Sequence, residues 1–204
     1  MLATSIRLTT GLMLAVTIAL PSSVLAAGGA LFIKGGSMFL QDDTQLFDTP
    51  SRVPVNVNLN NTSYRAIDFS WEIRFGRGWA IGTEYLAYDH RFTPTANPAQ
   101  RGIALTDAFM VSAKKYFLSS GNFHPYLGTG FGLGITNISN NRDGGTIDDT
   151  NFAAFFHAML GVELRVDNLS FLLEAKTLFF DNSTNDVEYD PTASGIFLGA
   201  GFNW

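Results

Sequence analysis

Glu72 and Arg74, Glu163 and Arg165, and Glu174 and Lys176 are pairs of opposite charge two residues apart. On an extended backbone, where side chains alternate, that spacing puts both members of a pair on one face. Asp68, Glu84 and Lys114 occupy the same polar faces, as do His124 and His157. A set of this kind either pairs internally, because a buried charge left alone costs several kcal/mol, or lines a path for protons or ions. Other chemistry is poorly supplied. The absence of cysteine excludes a disulfide framework, thiolate metal sites and cysteine nucleophiles. Of the three histidines, His124 lies near a short turn and His90 in a long link, while Met159 stands two residues after His157, so no His-x-Ser pattern appears. The acidic stretches Asp42-Asp43, Asp143, Asp148-Asp149 and Asp181, Asp186, Glu188, Asp190 offer hard oxygen ligands. Their spacing matches no EF-hand loop, and they read as solvated loop charge. No catalytic, cofactor or metal site is expected.

Whether the charged set is buried depends on the solvent. The 204 residues are 46% hydrophobic and 13% aromatic but only 15% charged. That is little charge for a chain whose whole surface meets water. A net charge of −5 without a basic cluster argues against nucleic acid as a partner. Arg7 is the only charge before Lys34, and an apolar run from Gly11 to Leu20 follows it. Pro21, Ser22 and Ser23 come next, and Val24-Leu25-Ala26 suits a signal peptidase, so residues 1–26 read as a signal peptide cleaved after Ala26. The run is half the length of a spanning helix. The expected mature chain, 27–204, is one domain.

That domain alternates with a period of two. Ile67, Phe69, Trp71, Ile73 and Phe75 oppose Asp68, Ser70, Glu72 and Arg74. After Gly76-Arg77-Gly78 the pattern resumes from Trp79 to Tyr88. The same reading holds in 105–117, 123–135, 152–166, 169–179 and 195–204, with 30–40 the least regular because Phe32, Ile33 and Phe39 blur the face that Lys34 marks. Eight strands result. Short links (76–78, 118–122, 167–168) alternate strictly with long ones (about 41–65, 89–104, 136–151 and 180–193). Even strand number, sorted loops and an apolar face are the signature of an outer-membrane barrel.

The sequence resembles the small eight-stranded outer-membrane proteins of the OmpA-transmembrane, OmpX and OmpW kind. Two segments carry the resemblance. Gly201-Phe202-Asn203-Trp204 is similar to the C-terminal signal read by the barrel assembly machinery, and Pro125 to Gly132 resembles a glycine-rich barrel strand. The resemblance implies an all-β, eight-stranded antiparallel up-and-down transmembrane β-barrel in the bacterial outer membrane. Its partners would be outer-membrane lipid and lipopolysaccharide, periplasmic chaperones and the assembly machinery during biogenesis, and an extracellular ligand on the loops.

Each face then has a job. A Lys or Arg on the lipid face costs about 2–4 kcal/mol at the midplane, and the charges of the membrane band are expected inside, apart from Lys115 at the periplasmic rim. Phe75, Trp79, Phe117, Phe123 and Trp204 should form the periplasmic aromatic girdle. The lumen network should comprise Asp68, Glu72, Arg74, Glu84, Lys114, Glu163, Arg165, Glu174 and Lys176, with Gly128, Gly130, Gly132 and Gly134 making room for Tyr88 and Arg74. The expected function is a non-enzymatic scaffold presenting four outer loops. The alternatives are a narrow passive conduit for small or hydrophobic solutes, as in OmpW-like proteins, and a lipid A-modifying enzyme.

Overall fold

In a bilayer every backbone N–H and C=O must find a partner within the protein, so a sheet can cross only by closing on itself. A computed structural model describes residues 28–40, 45–48, 53–59, 64–94, 102–118, 121–142, 145–180 and 192–204. Residues 1–27, with the expected cleavage site at Ala26, lie outside them. Ten strands occur: β1 (Gly29–Leu40), β2 (Gln45–Asp48), β3 (Val53–Leu59), β4 (Tyr64–Phe75), β5 (Trp79–Pro94), β6 (Gly102–Tyr116), β7 (Phe123–Arg142), β8 (Gly145–Val166), β9 (Leu169–Phe180) and β10 (Ala193–Asn203). β1 and β4 through β10 form the wall, each antiparallel to its neighbours, and β1 closes it against β10. At the seam, the Gly29 and Trp204 backbones exchange hydrogen bonds of 3.2 Å in both directions. No helix of the described residues is long and apolar enough to cross a membrane.

The register fixes the barrel's shape. A row of paired residues leaves β8 at Gly161 and passes Glu174, Phe197, Gly36, Ala66, Tyr88, Thr106 and Thr136. It returns to β8 at Asn151, ten residues from its start. With about 3.3 Å per residue and about 4.8 Å between strands, that offset over eight strands gives a tilt of roughly 41° and a rise of about 2.5 Å per residue.

The outer wall is oily. Ile33, Phe69, Val111, Phe131, Leu133, Leu160, Leu173 and Leu198 all face outward and are exposed, as are Phe75, Trp79, Phe117 and Phe123 at the short-turn end. Trp204 takes the same face, its indole over Gly29, where a Cβ would meet the ring at 2.7 Å. The Lys115 ammonium stands 5.1 Å from the Trp79 ring centroid and donates to the Arg77 carbonyl, so this outward cation is held at the rim. From Trp79 to Asp89, the next charged residue on the outward face of β5, the chain climbs roughly 25 Å, the height of a barrel's apolar band.

One further outward charge marks the other rim, and one expectation is corrected. Asp107 faces outward, with the Tyr85 hydroxyl donating to its carboxylate. It shares the level of Asp89, at the outer edge of the band, where a carboxylate reaches water. The long links at 41–65, 89–104 and 136–151 contain strand. The 41–65 link contains the β2–β3 hairpin, which continues the sheet by pairing Val57–Leu59 with Phe92–Pro94. In place of a loop at 136–151, β7 and β8 run on as a paired ribbon to Arg142 and Gly145.

The short turns have local causes. Arg77 and Gly78 adopt φ of 65° and 74°, and Asp167 adopts 54° in the two-residue link Asp167-Asn168. Glycine and aspartate tolerate the left-handed region best.

Candidate functional site

Eight tilted strands enclose a lumen just wide enough for side chains to fill. Asp68, Glu72, Arg74, Glu84, Lys114, Glu163, Arg165, Glu174 and Lys176 lie along it in contact with one another. A tenth joins them: Lys34, which the sequence reading left unassigned because apolar residues on both sides of it hid the alternation.

At the periplasmic end the Arg74 guanidinium donates to Glu72 Oε1 at 2.5 Å, to both Glu163 oxygens at 3.0 Å and to Asn203 Oδ1 at 2.7 Å. Arg165 grips Glu163 with two bonds of 3.0 and 2.9 Å, and the Ser170 hydroxyl adds another at 2.5 Å. Tyr116 donates to Glu72 at 2.8 Å, and its ring lies beneath both guanidiniums, 5.2 Å from Arg74 and 5.1 Å from Arg165.

The middle of the lumen holds two ammoniums facing the same three carboxylates. Lys34 Nζ lies 3.0 Å from Asp68, 2.9 Å from Glu84 and 2.9 Å from Glu174. Lys176 Nζ lies 2.6, 2.6 and 3.3 Å from the same residues. Lys114 links the two layers, 3.3 Å from Glu72 and 4.0 and 3.9 Å from Glu84 and Glu174. Tyr126 donates to Glu174 at 2.7 Å. Asp68, Glu84 and Glu174 converge closely enough to hold a cation, but the two lysines already supply that charge. Five acids face five bases, and the set is neutral.

Above this layer the lumen turns apolar, with Met38, Leu86, Tyr88, Met110, Phe155, Leu178 and Phe197 packed together. The glycine stripe of β7 shapes the transition. The expected beneficiaries, Tyr88 and Arg74, are replaced by others: Lys114 and Met159 lie against Gly128, His157 against Gly130, Phe155 against Gly132 and Phe180 against Gly134. Gly199 serves Lys34 in the same way, since a Cβ there would stand 2.6 Å from the lysine Cγ.

The histidines separate. His124 Nδ1 is 2.7 Å from the Leu118 carbonyl at the periplasmic turn. His90, expected in a link, belongs to β5 and points inward, buried beside Tyr88 with ring centroids 4.8 Å apart. His157 is buried in the lumen rather than at the rim. Asp42, Asp43, Asp143, Asp181, Asp186, Glu188 and Asp190 lie outside the described residues.

No family model and no curated protein matches the chain. Solved structures do. Neisserial surface protein A (NspA) superposes with a TM-score of 0.58 at 13% identity, over 85% of this chain and 96% of that one. Ail, the attachment invasion locus protein of Yersinia pestis, gives 0.55 at 13% identity over 87% and 99%. The N-terminal β-barrel domain of Pseudomonas aeruginosa OprF gives 0.52 at 13% identity over 86% and 99%. The chain has the fold of these small eight-stranded outer-membrane barrels.

Proposed function

We propose that this chain is an integral protein of the bacterial outer membrane that works as a closed, rigid scaffold, presenting its outer loops to the surroundings without catalysing a reaction. One observation carries the reading. The side chains of Lys34, Asp68, Glu84, Glu174 and Lys176 are all 0% accessible, so water does not reach the middle of the lumen. A barrel sealed in this way does its work on its outer surface, where loops on a rigid frame vary freely.

The chemistry of the partner follows from charge. The 180–193 link carries Asp181, Asp186, Glu188 and Asp190 and no Lys or Arg, and Asp42, Asp43 and Asp143 add to it. A basic partner, or one bridged by divalent cations, suits these loops better than a polyanion. Lipid and lipopolysaccharide surround the wall. Residues 1–26 act as the export signal, cut after Ala26, and Gly201, Phe202 and Trp204 as the signal handed by periplasmic chaperones to the assembly machinery. Phe202 is suited to that role, exposed on the lipid face at the seam.

Planar-bilayer recordings of the refolded protein test the closed lumen. A silent trace at neutral pH, with Glu84→Gln and Lys114→Met lowering thermal stability, supports it. A steady conductance that either substitution alters overturns it in favour of a conduit. Unchanged lipid A mass spectra on overexpression are expected, and a new lipid A species would reinstate the enzyme.

A further inference from the structure

The charged layer uses every charged group near it and leaves one titratable side chain idle. His157 is fully buried, and neither Nδ1 nor Nε2 has a hydrogen-bond partner. It sits where the ion pairs give way to the apolar cluster. Its row runs from Ser112 through Gly130 to His157 and on to Leu178. The site is built around the missing side chain of Gly130. A Cβ at Gly130 would stand 2.6 Å from His157 Cε1 and 2.9 Å from Ser112 Cα, which puts those two atoms within about 5.5 Å of each other. Cε1 lies between the two ring nitrogens, so the idle edge of the imidazole lies against Gly130, in the same row as Ser112. The Ser112 hydroxyl is itself buried and without a hydrogen-bond partner, and Glu84 Oε1 has only the Lys114 ammonium, at 4.0 Å.

We infer that Ser112, Gly130 and His157 form a proton-binding site in the lumen, which admits water when His157 takes up a proton and so loosens the seal in acid. Charge supplies the reason. The groups acting on His157 are Glu84 from β5, Lys114 from β6, and Glu174 and Lys176 from β9. Asp68 and Lys34, from β4 and β1, complete the same cluster. From β7, Gly130 lies against the ring and the Thr129 hydroxyl donates to the His157 carbonyl, and Phe155 packs on the ring from β8 itself. Glu84 Oε2 is held by both Lys34 and Lys176, and Glu174 by both lysines and Tyr126. An imidazolium therefore adds a sixth cation to a set already balanced at five against five. A buried charge of that kind demands solvation, and water drawn to it meets the unpartnered Ser112 hydroxyl as a second polar group to bond. Neutral His157 favours the closed lumen, so the seal holds above the pH at which a hydrated imidazole protonates and weakens below it.

The switch presupposes the closed lumen proposed above. It is tested on the refolded full chain in lipid nanodiscs, by following imidazole nitrogen shifts together with transfer of water magnetisation to Ser112 and His157. The hydrated population should rise by about tenfold per pH unit below about 6.5, the slope for uptake of one proton. It should track protonation of His157. His157→Gln should abolish the rise, while His90→Gln and His124→Gln keep it. Identical profiles in wild type and His157→Gln overturn the proposal. If His157→Gln does not fold, the wild-type titration decides, and a rise that follows His90 or His124 overturns it. A steady conductance already present at pH 7.5 overturns both readings, whereas silence at that pH with pH-independent hydration overturns only this one.

Discussion

Lys34 and Lys176 hold the same three carboxylates, each lysine close to all three. Removing one ammonium leaves three buried acids to the other, with only the more distant Lys114 beside Glu84 and Glu174. Breaking a buried pair from one side costs about 3–5 kcal/mol. Lys34→Met should therefore lower the unfolding free energy by about that amount, measured by urea titration in lipid vesicles. Combining it with Glu84→Gln restores the balance, and the double variant should be more stable than Lys34→Met alone. If the two losses simply add, the residues do not act as one network. A second test concerns the space Lys34 occupies. Gly199→Ala puts a methyl against the lysine stem at 2.6 Å, and overpacking of this kind costs about 1–3 kcal/mol.

At the level of the strands, period two fixes which face meets lipid, and that face can be tested where it matters most. Val111 is exposed on the outer wall, four residues and roughly 10 Å above Lys115 at the rim, close to the midplane. Val111→Arg should destabilise the folded barrel by about 2–4 kcal/mol in bilayers. The same substitution at Phe117, by the periplasmic turn, should cost less than about 1 kcal/mol. Equal losses would mean that the band is misplaced. The alternation made strands β4 to β10 legible because, between the two rims, each carries its charges on one face only. It failed at β1, where Phe32 and Met38 face the lumen beside Lys34. An inward phenylalanine breaks the polar-in rule, and no neighbour in the chain reveals that Gly201, where any Cβ would run into its ring, makes the room. The outer extensions were hidden for a different reason. Beyond the bilayer both faces of a strand meet water, so the β7–β8 ribbon needs no alternation and reads as a loop. Which residues share a lumen layer was out of reach too, because that depends on the ten-residue offset between the ends of the sheet.

The whole molecule is three stacked lumen layers within one oily wall: a guanidinium–carboxylate layer at the periplasmic end, a lysine–carboxylate layer in the middle and an apolar layer above. Each seals the barrel by a different force, so each should open differently. The apolar layer resists salt, since burial of Leu86, Met110, Phe155 and Phe197 owes nothing to charge. The middle layer is fully buried and screened little by added salt. The periplasmic layer is the exposed one, with Arg165 at 27% and Arg74 at 15% side-chain accessibility. Removing Arg165 should therefore cost little, about 1 kcal/mol or less, and leave bilayer traces silent, because two sealed layers stand above it. Replacing Lys34 and Lys176 together by serine should do the opposite, leaving the acids of the middle layer to Lys114 alone. The mutual repulsion of Asp68, Glu84 and Glu174 then draws water and cations into the lumen, and a cation-selective conductance should appear in planar bilayers. A silent double variant that remains folded, shown by its retained shift on unboiled gels, would mean that the apolar layer alone closes the barrel.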